Sequence, residues 1–241
     1  MNRKKLPKIA LISDVHANLT ALTAVMKKLD EAKPDVWVCL GDIVGYGPNP
    51  SECIDVIRER GMICVLGNHD AGVCGKMPLK HFRSPNRRLI EMSQEMISKE
   101  QKSWLSNLPL TINSMESDFL AAHASPERPE EWQYLESAFK VRELLPTIDQ
   151  QFCFIGHTHR SAFVSDTIGL TELKKGHKYL INPGSVGQPR DGDARASCGI
   201  LDTDELSYKN IRVPFDVAYV VAQLEELGFS PRAAAHMMRY S

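Results

Sequence analysis

Net charge is almost absent from this chain of 241 residues: 29 Lys and Arg stand against 30 Asp and Glu, leaving −1 at neutral pH and a pI near 6.7. That balance offers no global field to gather a nucleic acid or to hold the protein on an anionic membrane. Any preference for polyanions must be local, and no stable nucleic-acid complex or membrane partner is expected. Long apolar runs are also missing. The amino terminus carries the basic residues of a secretory leader, but its apolar stretch IALIS gives way at Ser13 and Asp14, too soon for a signal peptide. No other stretch is long enough to cross a bilayer. Cysteine occurs six times, at 39, 53, 64, 74, 153 and 198, yet never as a CxxC pair. Cys39, Cys64 and Cys153 fall inside apolar, strand-like runs, the setting of reduced and buried thiols. A reducing, cytoplasmic location is the expectation.

With 43% apolar residues, the chain can bury a full core without splitting, so a single domain over 1–241 is expected. The first third alternates strand and helix: KIALIS, a helix from Asn18 to about Glu31, VWVCL, a helix near 51–60, and MICVL. Short apolar strands separated by helices imply right-handed crossovers and a parallel core. In the first helix Ala21, Leu22, Val25, Met26 and Leu29 share one face at a 3.6 period and belong to the core. From Ala71 to Arg88 the pattern breaks into a segment rich in Gly, Pro and the basic residues Lys76, Lys80, His81, Arg83, Arg87 and Arg88, read as a loop or short cap. A helix pair follows to about Asn107. Then come LTIN, FLAAH, FCFIGH, SAFVSD, KYLIN, ASCGILD and LSYKNIRV, whose short connections predict a second sheet more antiparallel than the first. The segment 214–241 reads as helical, packed on the outside.

Chemistry collects just beyond the strand ends. Asp14 and His16 lie in SDVH, Asp42 in GD, Asn68, His69 and Asp70 in GNHD, His123 in AAH, and His157 and His159 in GHTH. Carboxyl ends of parallel strands are where α/β sites form, so residues this far apart in sequence can converge. A lone DxH or HxH is usually a turn or a satisfied polar pair. Recurrence of such groups at five strand ends points instead to metal. Carboxylate, imidazole and amide without thiolate select hard to borderline ions: Mn²⁺, Fe, Co²⁺, Ni²⁺ or Zn²⁺. If DxH and HxH are extended, alternation puts both side chains of each pair on one side, where they can chelate one cation. The two oxygens of Asp42 can bridge two cations held ~3.5–4 Å apart. Gly41, Gly67 and Gly156 precede three of these turns, where a missing Cβ permits tight reversal.

The ordered set SDVHANL, GDIVGYG, GNHD, AHAS, GHTH and NPGSVGQPRDGD, spanning Ile9 to Asp202, resembles the calcineurin-like metallophosphoesterases, specifically their small bacterial and archaeal phosphodiesterase group. The resemblance implies a four-layer α/β/β/α sandwich of two mixed sheets with outer helices and two metals at the sheet edges. It implies Asp14, His16 and His159 on the first metal, Asn68, His123 and His157 on the second, and Asp42 between them. His69 would then be the proton donor to the leaving oxygen, with Asp70 orienting it. Two cations would supply hydroxide near neutral pH and neutralise phosphoryl oxygens, so hydrolysis of phosphodiester or phosphoanhydride bonds in a small phosphorylated substrate, possibly a nucleotide, is the expected activity. Ser/Thr protein phosphatases of the superfamily carry GDxVDRG and GNHE. Gly45, Tyr46, Gly47 and Asp70 stand at the divergent positions here and disfavour that activity.

Several residues have competing readings. Arg190 is a candidate phosphate ligand through its planar fork, or a structural partner of Asp191 or Asp193. Arg195 stands beside it in QPRDGDAR. The basic run over 76–88 either roofs the site to hold a polyphosphate or is a solvated loop. Trp132 and Tyr134 follow His123 and either stack on a base or belong to the core. His177 and His236 lie outside the motifs and read as surface or packing residues. Alternatives to a general phosphoesterase are a dinucleoside polyphosphate hydrolase and a metal-binding protein-interaction scaffold without turnover. The complete ligand set speaks against the scaffold.

Overall fold

The computed structural model describes residues 7–82 and 86–238, so Arg83 lies outside the described residues. Chain order begins β1 (Lys8–Ile12), α1 (Leu19–Asp30), β2 (Val36–Cys39), α2 (Pro50–Glu59) and β3 (Ile63–Cys64), the alternation expected. It continues through α3 (Asn68–Cys74), α4 (Asn86–Met96), α5 (Lys99–Ser106), β4 (Thr111–Ser114), β5 (Phe119–Ala122), α6 (Ala138–Leu144), β6 (Phe152–Phe154), β7 (Ser161–Ser165) and β8 (Tyr179–Pro183). β9 (Ala196–Asp202), β10 (Ser207–Val213), α7 (Val217–Glu226) and α8 (Pro231–Met238) complete it. Local chemistry accounts for the starts: Asn18 Oδ1 accepts the Ala21 N–H at 3.0 Å to cap α1, and Pro50 opens α2 where no backbone donor is needed.

Two five-stranded mixed sheets result, ordered β10-β9-β1-β2-β3 and β4-β5-β6-β8-β7. The expectation of a more antiparallel second sheet does not hold. In the first sheet β1–β2 and β2–β3 are parallel and both β9 pairings antiparallel, and the second sheet has the same mixture. The difference arises because β9 and β10 do not extend the second sheet but return to pair beside β1. Two helices also emerge where none was expected. Asn68–Cys74 forms α3, so Ala71 to Cys74 are not loop, and Ala138–Leu144 forms α6.

Period-two alternation sorts the layers. Ile9 and Leu11 of β1 face Phe119, Phe152, Phe154 and Ile181 of the other sheet, while Ala10 and Ile12 face Leu22, Val25 and Leu29 of α1. Each of the larger side chains so buried stabilises the fold by roughly 1.5–3 kcal/mol. The second sheet's outer face is covered by Val141 and Leu144 of α6. Helix, sheet, sheet, helix is therefore the order of layers. The C-terminal helices are not merely external: Val220, Leu224, Ala234 and Met238 pack with Leu89 of α4 and with Tyr46, which belongs to the loop after β2.

Candidate metal centre

The loops after β1, β2 and β6 are not extended. Asp14, His16, Asp42, His157 and His159 all have positive φ, between 49° and 64°. The expected alternation of DxH and HxH therefore fails. Left-handed turns aim these side chains, a conformation that non-glycine residues adopt at a cost of order 1–3 kcal/mol where surrounding structure enforces it. Enforcement is visible in the hydrogen bonds. Asp14 and His16 donate their N–H groups to the carbonyls of Gly41 and Asp42, and Val186 and Gly187 donate to the carbonyls of Ser13 and Asp14. Ser185 Oγ donates to Asp14 O at 2.8 Å.

These turns bring four groups together on one side. Asp14 Oδ1 lies 3.4 Å from His159 Nε2 and 3.9 Å from His16 Nε2, and the two Nε2 atoms are 3.1 Å apart. On the other side His123 Nε2 is 3.2 Å from His157 Nδ1. Asp42 Oδ2 belongs to both groups, 3.6 Å from His16 Nε2 and 3.3 Å from His123 Nε2. The two-oxygen account of Asp42 needs correction, because its Oδ1 already accepts the His69 N–H at 2.8 Å. A single oxygen faces both groups.

Tautomers follow from the outer nitrogens. Nδ1 of His16, His123 and His159 faces the carbonyls of Val44 (3.2 Å), Leu40 (2.6 Å) and Gln188 (2.6 Å). A carbonyl only accepts, so each Nδ1 carries a hydrogen, and each Nε2, whenever its ring is neutral, turns a lone pair inward. Lone pairs thus converge on lone pairs and carboxylate oxygens, with Asp14 Oδ1 and Asn68 Oδ1 buried and unpartnered. Such an arrangement is repulsive without a cation, and its nitrogen and oxygen donors suit hard to borderline divalent ions.

Asn68, His69 and Asp70 sit at the start of α3. Asp70 accepts three backbone N–H bonds, from Ile43 and Val44 to Oδ1 and from Gly67 to Oδ2, at 2.9 to 3.1 Å. Its carboxylate ties α3 to the loop after β2 and does not bond the His69 ring, so the orienting role implied by resemblance is replaced by a loop clamp. The His69 ring lies between Tyr46, His16 and Phe82, with its Nδ1 unpartnered. Tight reversal explains only one of the three glycines singled out: Gly41 has φ +86°. A Cβ on Gly67 would stand 2.2 Å from Asp42 N, and one on Gly156 1.9 Å from Ser13 Oγ, so those two serve close approach instead.

At the rim, neither acidic partner expected for Arg190 is available, since Asp191 pairs with Arg212 and Asp193 with Arg195. Arg190 instead donates to Gln188 Oε1 from Nη2 at 2.6 Å, and its guanidinium meets the Tyr46 and Tyr134 hydroxyls. Tyr134 is not core: it is 52% exposed and stacks on His157 with centroids 4.0 Å apart. Trp132 is half-buried, edge-on to His123 at 6.0 Å. The basic run disperses, with Arg87 paired to Glu91 and Arg88 over the Phe229 ring, leaving Lys76 and His81 beside the centre. His177 pairs with Asp166 at the surface, and His236 is exposed on α8. The polar residues that sequence reading left without a role are Asn182, Ser185 and Gln188. They are buried, and the signal available in the sequence was their place inside the NPGSVGQP motif.

Among the protein's own charges, burial pushes the Asp70 carboxyl up to about 7, assisted by Asp42 and opposed by its amide donors. Burial likewise raises Asp14 to about 6 and lowers His157 to about 3 and His69 to about 4. His16 and His159 are driven well below the usual imidazole range, first by burial. For Asp42 and His123 burial opposes charge, but mutual attraction outweighs it: the carboxyl is held well below its usual range and the imidazole rises to about 9. A proton on His123 Nε2 therefore competes with any cation for the same lone pair.

Comparison with known proteins agrees with this geometry. The Calcineurin-like phosphoesterase superfamily domain matches residues 8–206. An uncharacterized protein of Methanocaldococcus jannaschii is 40% identical over 223 residues, 87% of this chain and 88% of its own length. The crystal structure of a metallophosphoesterase from Sphaerobacter thermophilus superposes with a TM-score of 0.82 at 34% identity, covering 96% of this chain and 98% of that one. A symmetrical bis(5'-nucleosyl)-tetraphosphatase of Proteus mirabilis is 29% identical over 117 residues, which is 47% of this chain and only 43% of that enzyme. From the match over residues 8–206 and the converging carboxylates and imidazoles, the chain belongs to the calcineurin-like phosphoesterase superfamily and is a metal-dependent phosphoesterase.

Proposed function

We propose that the centre holds two divalent cations, with Asp14, His16 and His159 on one, Asn68, His123 and His157 on the other, and Asp42 contributing Oδ2 to both. The observation that carries this reading is the position of Asp42 Oδ2, within 3.6 Å of His16 Nε2 and 3.3 Å of His123 Nε2. Mn²⁺ suits a donor set of carboxylate, imidazole and amide without thiolate, as do the other borderline ions. Bound divalent cations supply Lewis acidity toward phosphoryl oxygens and lower the pKa of a coordinated water.

The chain's own side chains do the remaining work. Arg190 presents a guanidinium with no carboxylate partner among the described residues, suited to a substrate phosphate through two parallel N–H bonds. Gln188, bonded to that guanidinium by its amide oxygen and to His159 by its carbonyl, holds the phosphate ligand and a metal ligand in one frame. His69 gives a proton or a hydrogen bond to the leaving oxygen. Burial favours its neutral ring, so protonation depends on the negative charge that an arriving phosphate brings. The substrate is a small diester or anhydride, and the chain acts as one domain in the cytoplasm.

A dinucleoside polyphosphate is the second reading, favoured by the partial likeness to the symmetrical tetraphosphatase and by Lys76 and His81 beside the centre. Metal analysis of the purified protein with turnover of a phosphodiester, a monoester and a dinucleoside tetraphosphate tests both. Two ions per chain with cleavage of the diester supports the main reading, and a preference of ~10-fold or more in kcat/KM for the tetraphosphate moves it to the second. Two bound ions with no turnover on any substrate would return the chain to a binding scaffold.

A further inference from the structure

A cavity of about 630 Å³ opens beside the centre, inside the ~300–1,000 Å³ range of small-molecule sites. Its walls come from residues that flank proposed ligands without being ligands. Leu66 precedes Gly67 and Asn68, Ala71 follows Asp70 on α3, and Trp132 packs edge-on to His123. Met77, Pro78 and Leu110 add apolar surface to the lining, and Lys76, His81, Glu130 and Glu131 add polar groups.

Two features make this more than a surface hollow. Trp132 has φ +54°, a left-handed conformation that a bulky aromatic rarely adopts, so surrounding structure holds the ring at this wall against local preference. Its flanking chain is fixed too: Ser125 N–H donates to Gln133 O, and Glu131 is anchored by Arg128 at 2.8 Å. Second, one of the charges is free to act. Lys76 takes part in none of the ion pairs among the described residues, and it is exposed at the same wall as Met77.

We propose that this cavity binds the nucleoside part of a nucleotide substrate, the base lying on Trp132 and Met77 and a phosphate beyond the scissile one meeting Lys76. The proposal rests on the reading of the centre as the phosphate site. It names the substrate class and makes Trp132 a specificity-determining residue. A flat heteroaromatic base suits an indole and a thioether lining one cavity, and its exocyclic donors suit the Glu130 carboxylate in the same lining.

The test is a pair of titrations followed by tryptophan fluorescence and calorimetry: adenosine 5'-monophosphate against ribose 5-phosphate, which has the same phosphate but no base. The wild-type chain is expected to bind the nucleotide roughly tenfold more tightly, the scale of one stacked base. Trp132→Ala should erase that difference while leaving ribose 5-phosphate affinity and metal content unchanged, and Trp132→Phe should restore most of it. Met77→Ala, which leaves the strained turn intact, should halve the preference or more if Trp132→Ala does not fold. Equal affinity for the two ligands, binding of neither, or a preference that survives Trp132→Ala overturns the proposal. Hydrolysis of bis(p-nitrophenyl) phosphate by the metal-loaded chain separates the two claims. Base preference without hydrolysis would sink the catalytic reading and leave the cavity, and hydrolysis without base preference would do the reverse.

Discussion

At the floor of the site Asp14, His16, Asp42, His123 and His159 are 2% exposed or less, each held by a backbone donor or acceptor from a segment other than its own. At the rim Tyr134 is 52% exposed, Lys76 and His81 stand in solvent, and the Arg190 guanidinium is held, among the described residues, by a side-chain amide and two phenols. The floor tolerates strained backbone because neighbouring loops over-determine it, which suits groups that must keep one geometry for a cation. The rim carries long side chains with few partners, which suits groups that adapt to a substrate. Changes at the floor should therefore remove metal and turnover together, and changes at the rim should alter substrate affinity alone.

Asp42→Ala gives the largest expected effect. It withdraws the oxygen shared by both groups, so metal content by elemental analysis and kcat/KM should both fall by more than the ~10–100-fold typical of changes behind a metal's ligands. Comparable residual activity in Asp42→Ala and His159→Ala would erase the special place of Asp42. His69→Gln comes next and splits the floor itself: metal content is retained while kcat drops roughly 10²–10⁴-fold, less so with a p-nitrophenolate leaving group. An equal loss with an alkoxide leaving group would remove His69 from proton delivery.

Gly67→Ala probes the backbone under the floor. The new Cβ would fall 2.2 Å from Asp42 N and Oδ1, so thermal unfolding should show a loss of ~1–3 kcal/mol, with metal binding weakened in parallel. A fully stable, fully loaded variant would mean the two loops do not need their close approach. Smallest is the rim: Tyr134→Ala and Arg190→Lys should each raise KM by ~3–10-fold with metal content and melting temperature unchanged, the lysine failing because it lacks the planar fork. Loss of metal in either would dissolve the distinction between floor and rim.

Much of the floor was legible because its residues are of a restricted chemical type placed at strand ends, and period-two and period-3.6 patterns locate strand ends without any knowledge of tertiary contacts. The rim was not. Tyr134 and Trp132 follow His123 in a segment with no periodicity, and nothing local tells a stacked, exposed phenol from a core one. Arg190 and its acidic neighbours illustrate the same limit: proximity in QPRDGD suggests a local pair, but Arg212 on β10 and the adjacent Arg195 take the carboxylates.

The amino-acid order alone determined the strands, most helices, the core face of α1 and the set of metal-capable groups, since each depends on residues within a few positions of one another. Tertiary structure alone decided that β9 and β10 return beside β1, that left-handed turns rather than extended pairs aim Asp14, His16 and His159, and that one oxygen of Asp42 faces both groups. Those outcomes depend on distant partners. Strand pairing is settled by which edge is left open, and a strained turn survives only where other loops supply the hydrogen bonds that hold it.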